Sequence, residues 1–197
     1  VKRFLIVGLG NPGKMYEGTR HNVGFALVQA LAKKHGLKFR RETQWKASLA
    51  EGTILGSPVI IMMPLTFMNL SGEAVAPLMR YFDIEMSQIL VAVDDIAIPL
   101  GQIRVRINSG SGGHNGLKSV EEHLQSNRYA RLRVGVGYEG ENLADYVLER
   151  FSKEEEKLIP EILERAEKAI EVWLEKGITK AMDFANPSNP RTSNEEE

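Results

Sequence analysis

Four short stretches of this chain concentrate side chains that can move protons or hold a polar substrate. They are Asn11-Pro12-Gly13 with Thr19-Arg20-His21-Asn22, Thr66-Phe67-Met68-Asn69-Leu70-Ser71-Gly72, Asp94-Asp95, and Gly112-Gly113-His114-Asn115-Gly116-Leu117-Lys118. Histidine exchanges a proton near neutral pH, so His21 and His114 are candidates for acid–base work. Asn11, Asn69 and Asn115 offer amide donors and an acceptor without charge. That chemistry suits holding a peptide backbone, placing a water, or donating to a developing oxyanion. Gly110, Gly112, Gly113 and Gly116 around His114 let backbone approach a ligand closely. Arg104, Arg106 and Arg133 carry the planar fork that matches phosphate.

Several other chemistries are a poor fit. Gly8-Leu-Gly10-Asn-Pro-Gly13 follows an apolar run and matches the dinucleotide fingerprint, but Pro12 removes an amide from the cradle and Met15-Tyr16-Glu17-Gly18 opens a helix badly. The ribose-binding acid expected about 20 residues later is missing. The phosphate loop G-x-x-x-x-G-K is met as far as Lys14, yet Met15 stands where Ser or Thr would hold magnesium. A serine elbow is absent, because Ser109 precedes Ser111 where glycine is required. The chain has no cysteine, and none of His21, His35, His114 and His123 shows paired metal-ligand spacing, so no metal or other cofactor is expected.

The 197 residues, 43% hydrophobic, suit one domain with a sizeable core. The sequence holds no apolar run of about 18 residues, and Val1–Gly10 reads as a buried strand rather than a secretory signal. Residues 1–135 hold 17 Lys+Arg against 10 Asp+Glu, net +7; residues 136–197 hold 8 against 16, net −8. A basic body is compatible with a polyanionic partner on one face.

The elements that must position the polar clusters follow from periodicity. Arg3–Gly8, Pro58–Met63, Gln88–Val93 and Leu132–Val136 read as buried strands, and Gly101–Ile107 alternates with Arg104 and Arg106 on one face. Lys38–Leu55 reads as one or two strands. Helices are expected over Asn22–His35, Ser71–Phe82, Leu117–Leu124, and Ser152–Lys176 with Ser152 as cap and Leu158, Ile162, Leu163, Ala166, Ile170 and Leu174 as its apolar stripe. A short helix over Thr179–Ala185 comes last, and the polar stretch 186–197 reads as disordered. Strands alternating with helices predict a single-domain three-layer α/β/α sandwich over 1–185, with a twisted mixed, mostly parallel sheet. In such sheets ligands gather at the carboxyl ends of the strands, where Gly10-Asn11, Asp94-Asp95 and Ser109–Asn115 all fall.

In this order and spacing the four segments resemble the bacterial-type peptidyl-tRNA hydrolase family, from about Phe4 to Ala185. The resemblance implies hydrolysis, without metal or cofactor, of the ester joining a peptide to the 3′-terminal ribose of tRNA. It implies that His21 is a general base oriented by Asp94, with Asn11 and Asn69 at the catalytic centre. Tyr16, Met68, Gly112, His114 and Asn115 would lie by the substrate. Arg106 and Arg133 would clamp a tRNA phosphate, with Lys118 and Arg131 extending the basic surface. Residues 137–150 correspond to the family's lid, although Tyr138-Glu139 stands where many members carry an arginine or histidine followed by proline. The partner implied is the acceptor end of peptidyl-tRNA, met by a cytoplasmic monomer with no membrane attachment. The other reading is a non-catalytic RNA-binding or scaffold relative on the same fold; the presence of His21, Asp94, Asn11 and Asn69 favours the enzyme.

Overall fold

A computed structural model describes residues 2–187 of the chain. Its strands are β1 (Phe4–Gly8), β2 (Arg40–Glu42), β3 (Ala47–Ile54), β4 (Ser57–Pro64), β5 (Ile89–Asp95), β6 (Ile103–Arg106) and β7 (Ala130–Gly135). Its helices are α1 (Val23–Lys34), α2 (Gly72–Tyr81), α3 (Asn115–Leu124), α4 (Leu143–Leu148), α5 (Lys153–Glu156), α6 (Ile159–Lys176) and α7 (Ile178–Ala185). The strands form one sheet in the order β2-β3-β4-β1-β5-β7-β6. The central strands β4, β1, β5 and β7 are parallel, and the antiparallel partners β3 and β6 extend the sheet on either side. The expected single-domain three-layer α/β sandwich with a mixed sheet is what forms.

Each parallel strand is buried on both faces, which is why it reads as a continuous apolar run. One face, through Ile6, Ile61, Leu90 and Leu132, packs on α1, α6 and α7. The other, through Leu5, Val7, Ile60 and Val91, packs on α2 and α3. The uncertain stretch 38–55 resolves into two strands. β3 and β4 then join through Leu55-Gly56, both with positive φ (49° and 81°), as a tight two-residue hairpin turn requires.

Three expectations need correction. The helix expected over 152–176 is two helices, because Pro160 lacks an amide and its ring crowds the preceding turn. Ser152 therefore caps α5, and Leu158 falls at the break, 48% exposed, instead of joining the apolar stripe. The segment 137–150 contains a helix, α4, which periodicity did not reveal. Asn186, placed at the start of the disordered tail, is fastened to β6: its Oδ1 accepts from Val105 N at 2.8 Å and its Nδ2 donates to Val105 O at 3.0 Å. Residues 188–197 of that tail lie outside the described residues.

One close approach sets the level of α1 above the sheet. A Cβ on Gly8 would sit 2.2 Å from Gly24 O, and one on Gly24 would sit 2.5 Å from Ala92 O and 2.7 Å from Leu9 O. Backbone thus lies on backbone where α1 crosses β1 and β5, and only glycine allows it. This also explains the first glycine of the apparent dinucleotide motif by helix–sheet packing. Gly24→Ala is expected to destabilise the protein by about 2–3 kcal/mol, the usual cost of overpacking a rigid core. The check is the midpoint and slope of a urea unfolding curve.

Candidate active site

The sheet's parallel strands deliver their carboxyl ends to one rim, and the polar segments assemble there. Asp94 lies near the end of β5, 3% exposed. His21 sits in a short 3₁₀ turn (Arg20–Asn22) that leads into α1, as the sequence suggested. His114 is the N-cap of α3, reached by the tight turn at Gly112 and Gly113, whose φ values of 62° and 81° exclude most other residues. α1 and α3 cover opposite faces of the sheet, so Asp94 receives one imidazole from each layer.

The hydrogen bonds assign the protons. His114 Nδ1 accepts from the amides of Gly116 (3.1 Å) and Leu117 (3.3 Å), so its proton is on Nε2, which donates to Asp94 Oδ1 at 2.9 Å. His21 Nδ1 faces both Asp94 oxygens, at 2.9 and 3.0 Å. A carboxylate there holds the proton on Nδ1 and leaves a lone pair on His21 Nε2. Burial alone would push the Asp94 carboxyl up, but the imidazole of His114 and then that of His21 bring it down from 3.8 to about 2. Asp94 is therefore a carboxylate at any working pH.

Asn11 has a bracing geometry. Asn22 binds its backbone twice, accepting from Asn11 N at 2.8 Å and donating to Asn11 O at 2.9 Å. Asn11 Oδ1 in turn accepts from Met68 N at 2.8 Å. That bond orients the amide, so Nδ2 is left as a donor without an acceptor among the described residues. Asn69 follows Met68 on a 3₁₀ turn and is exposed.

A cleft of about 440 Å³ opens over the rim. His21, Asp94, His114, Asn115 and Arg133 line it on the sheet side, and Leu143, Ala144 and Val147 of α4 on the other. Helix α4, in the segment expected to act as a lid, thus forms a wall of the same cavity. The asparagines do not all line it: Asn115 and Gly112 do, whereas Asn11 and Asn69 are not among its lining residues. Met68 is core, buried under α3 rather than forming a cleft wall; a Cβ on Gly116 would come within 2.6 Å of its sulfur. Tyr16 is half-buried on the 3₁₀ turn Lys14–Tyr16, outside the lining.

The arginines divide. Strand register puts Arg104 opposite Arg133 and Arg106 opposite Arg131, all on the α3 side of the sheet. Arg106 is exposed. Arg133 is mostly buried and already engaged, with Nη1 to Asp95 at 3.3 Å and Nη2 to Gly110 O at 2.7 Å. Arg131 does not extend the basic surface: it is 0% exposed and bound to Asn127 O, Tyr129 O and Glu121. Lys118 is exposed on α3.

Sequence reasoning missed three contributions. The His114–Asp94 bond and the Arg133–Asp95 pair join residues far apart in the chain, and spacing carries no signal for them. Asn22 had a signal, since it directly follows His21 in a motif already singled out. His21, Asp94 and His114 also offer ligand atoms all within 4.8 Å of one another, a grouping able to hold a metal ion that histidine spacing did not suggest. In the hydrogen-bonded arrangement both facing ring nitrogens carry protons, so a metal would have to displace both.

Known proteins resemble this chain over most of its length. The profile of the peptidyl-tRNA hydrolase family matches residues 5–195. The chain is 45% identical to a peptidyl-tRNA hydrolase of Chloroflexus aggregans over 93% of its own length and 99% of the relative's. It is also 45% identical to one from Shouchella clausii, over 92% and 99%. The crystal structure of the Acinetobacter baumannii peptidyl-tRNA hydrolase superposes with a TM-score of 0.89 at 34% identity, covering 95% of this chain and 96% of that one. No helix among the described residues is long and apolar enough to cross a membrane. A buried acid between two imidazoles, at the rim of this sheet and in a chain whose residues 5–195 fit the family's profile, leads to one assignment: the protein belongs to the peptidyl-tRNA hydrolase family.

Proposed function

We propose that this protein hydrolyses the ester between a peptide and the 3′-terminal ribose of tRNA, by general-base activation of water and without metal or cofactor. The observation that carries the proposal is the contact of His21 Nδ1 with both oxygens of Asp94, which leaves Nε2 ready to accept a proton. His21 Nε2 takes a proton from water as the water oxygen attacks the ester carbonyl. Asp94 holds the ring and stabilises the imidazolium that forms. Asn115, in the cleft, and the free Nδ2 of Asn11 donate to the developing oxyanion, while Asn69 grips the peptide backbone from the adjoining turn. Collapse expels the ribose oxygen, which recovers the proton from His21. The products are a peptide carboxylate and a tRNA with a free 3′-terminal hydroxyl. His114 orients Asp94 from the far side and has no nitrogen left over for a proton relay.

The reaction belongs in the cytoplasm, where peptidyl-tRNA is made, and each monomer carries a full set of the residues named. The test is release of N-acetylaminoacyl groups from tRNA in the presence of a chelator. RNA binding with no release would favour a scaffold role, and loss of release on chelation would make the histidine–aspartate group a metal site.

Phosphate recognition falls to Arg106, with Arg133 bracing the Ser109–Gly113 loop beside it. Arg106→Ala is expected to weaken tRNA binding and lower the slope of log K against log salt by about 1, the effect of one lost phosphate contact. Cleavage of a minimal N-blocked aminoacyl-nucleotide should change less than about twofold. Equal losses on both substrates would remove Arg106 from tRNA recognition.

A further inference from the structure

We infer that Arg20 is a positioning residue that fastens the lid helix α4 to the segment carrying His21, so that seating of the lid and placement of the imidazole are one event. The inference rests on the hydrolase reading of the same site.

Gly18–Arg20 and Glu149–Phe151 run antiparallel as a miniature ribbon. Thr19 bridges Arg150, Arg20 N donates to Glu149 O at 3.0 Å, and Phe151 N donates to Gly18 O at 3.3 Å. The residue after Arg20 is His21, and the helix just before Glu149 is α4. The Arg20 side chain, 8% exposed, doubles the connection. Nη1 donates to Tyr146 O at 3.1 Å, Nη2 donates to Glu155 Oε1 at 2.7 Å, and the guanidinium carbon lies 4.1 Å from the centre of the Tyr146 ring. Tyr146 is pinned in turn, its hydroxyl donating to Val136 O at 2.8 Å just beyond β7. Glu155 is held by the capping box it makes with Ser152.

On the other flank of His21, Asn22 is locked to the Asn11 backbone in the loop that follows β1. The imidazole therefore hangs between two anchors, one on the sheet and one on the lid. α4 is the element that brings Leu143, Ala144 and Val147 to the cleft. If the lid lifts, the ribbon carries the displacement to the residue preceding His21. Arginine suits this task because its fork reaches a carbonyl, a carboxylate and an aromatic face at once, which an ammonium cannot match. Its Nε is buried without a partner. Breaking a buried ion pair can itself destabilise a fold, so exchange in β5 and α6 is what separates placement from stability.

The experiment compares wild type, Arg20→Lys and Glu155→Gln by steady-state hydrolysis of N-acetylaminoacyl-tRNA and by hydrogen exchange. Lysine keeps the charge but loses the three-way reach; Glu155→Gln loosens the same latch without touching the cleft. For Arg20→Lys, kcat should fall about tenfold or more, as small misplacements of reacting groups do, while KM changes less than about threefold. Exchange should quicken at 143–148 and stay unchanged in β5 and α6. Glu155→Gln should show the same pattern, weaker. Faster lid exchange at unchanged kcat would overturn the coupling. So would slower hydrolysis with exchange raised throughout β5 and α6, since that marks a general stability role. A wild-type protein that released no peptide would instead count against the hydrolase reading, and the exchange data would still report whether Arg20 holds α4.

Discussion

His21→Ala should lower kcat for release of an N-acetylaminoacyl group from tRNA by about 10²–10⁴-fold, the usual worth of a placed general base. KM should stay within about twofold, because the residue proposed to recognise tRNA phosphate, Arg106, is untouched. His21 is the imidazole of the pair with a free ring nitrogen; His114 Nδ1 is filled by the amides of Gly116 and Leu117 and its Nε2 by Asp94. His114 therefore cannot take over as the base. Added imidazole should restore part of the lost rate, as it can enter the space the ring vacates. Full activity in the alanine variant would remove His21 from the chemistry.

Asp94→Asn should cost about 10³–10⁴-fold in kcat, as comparable replacements do in hydrolase triads. An amide has one acceptor oxygen, whereas the carboxylate accepts from two rings. If the new NH₂ faces His21 Nδ1, the ring must put its proton on Nε2 and ceases to be a base. If it faces His114, the caps on Gly116 and Leu117 are set against it. Stability carries a second signature. Asp94 has its folded-state value lowered from 3.8 to about 2, with burial opposing and the His114 and His21 imidazoles producing the shift. Its contribution to stability is therefore complete above about pH 5 and is lost as pH falls through 4 towards 2, about 2 kcal/mol in all. Asp94→Asn has no such group to protonate, so the stability gap between it and wild type should narrow by that amount over the same range. Urea unfolding at pH 6 and at pH 3 captures about half of that change, roughly 1 kcal/mol, and a constant gap would refute it.

The sequence was informative wherever a local rule was strong. Continuous apolar runs marked the parallel strands, since each is buried on both faces, and the polar clusters after them marked the rim where the site forms. Local rules failed where the deciding contact was distant. Arg131 looks like surface charge, and only β6, Tyr129 and Glu121 make it a buried cation. Met68 sits within a polar motif, yet α3 covers it. α4 is too short for its periodicity to stand out, and its contact with Arg20 comes from more than a hundred residues away in the chain. Pro160 was visible, but a long apolar stripe outweighed it in the reading of 152–176. The candidate site was legible as residue types and order. Which donor meets which acceptor was not, because the His21–Asp94 and His114–Asp94 bonds span 73 and 20 residues.

The meeting of those bonds on one carboxylate also bears on how the catalyst could be switched off. Asp94 is a seam between two slabs of helix that otherwise rest on opposite sides of the strands. A wedge driven beneath α3 from its own side would tug on His114, tilt the acid, and slacken the opposite imidazole. A shift of the slab that carries His114 thus reaches His21 without touching the substrate's path.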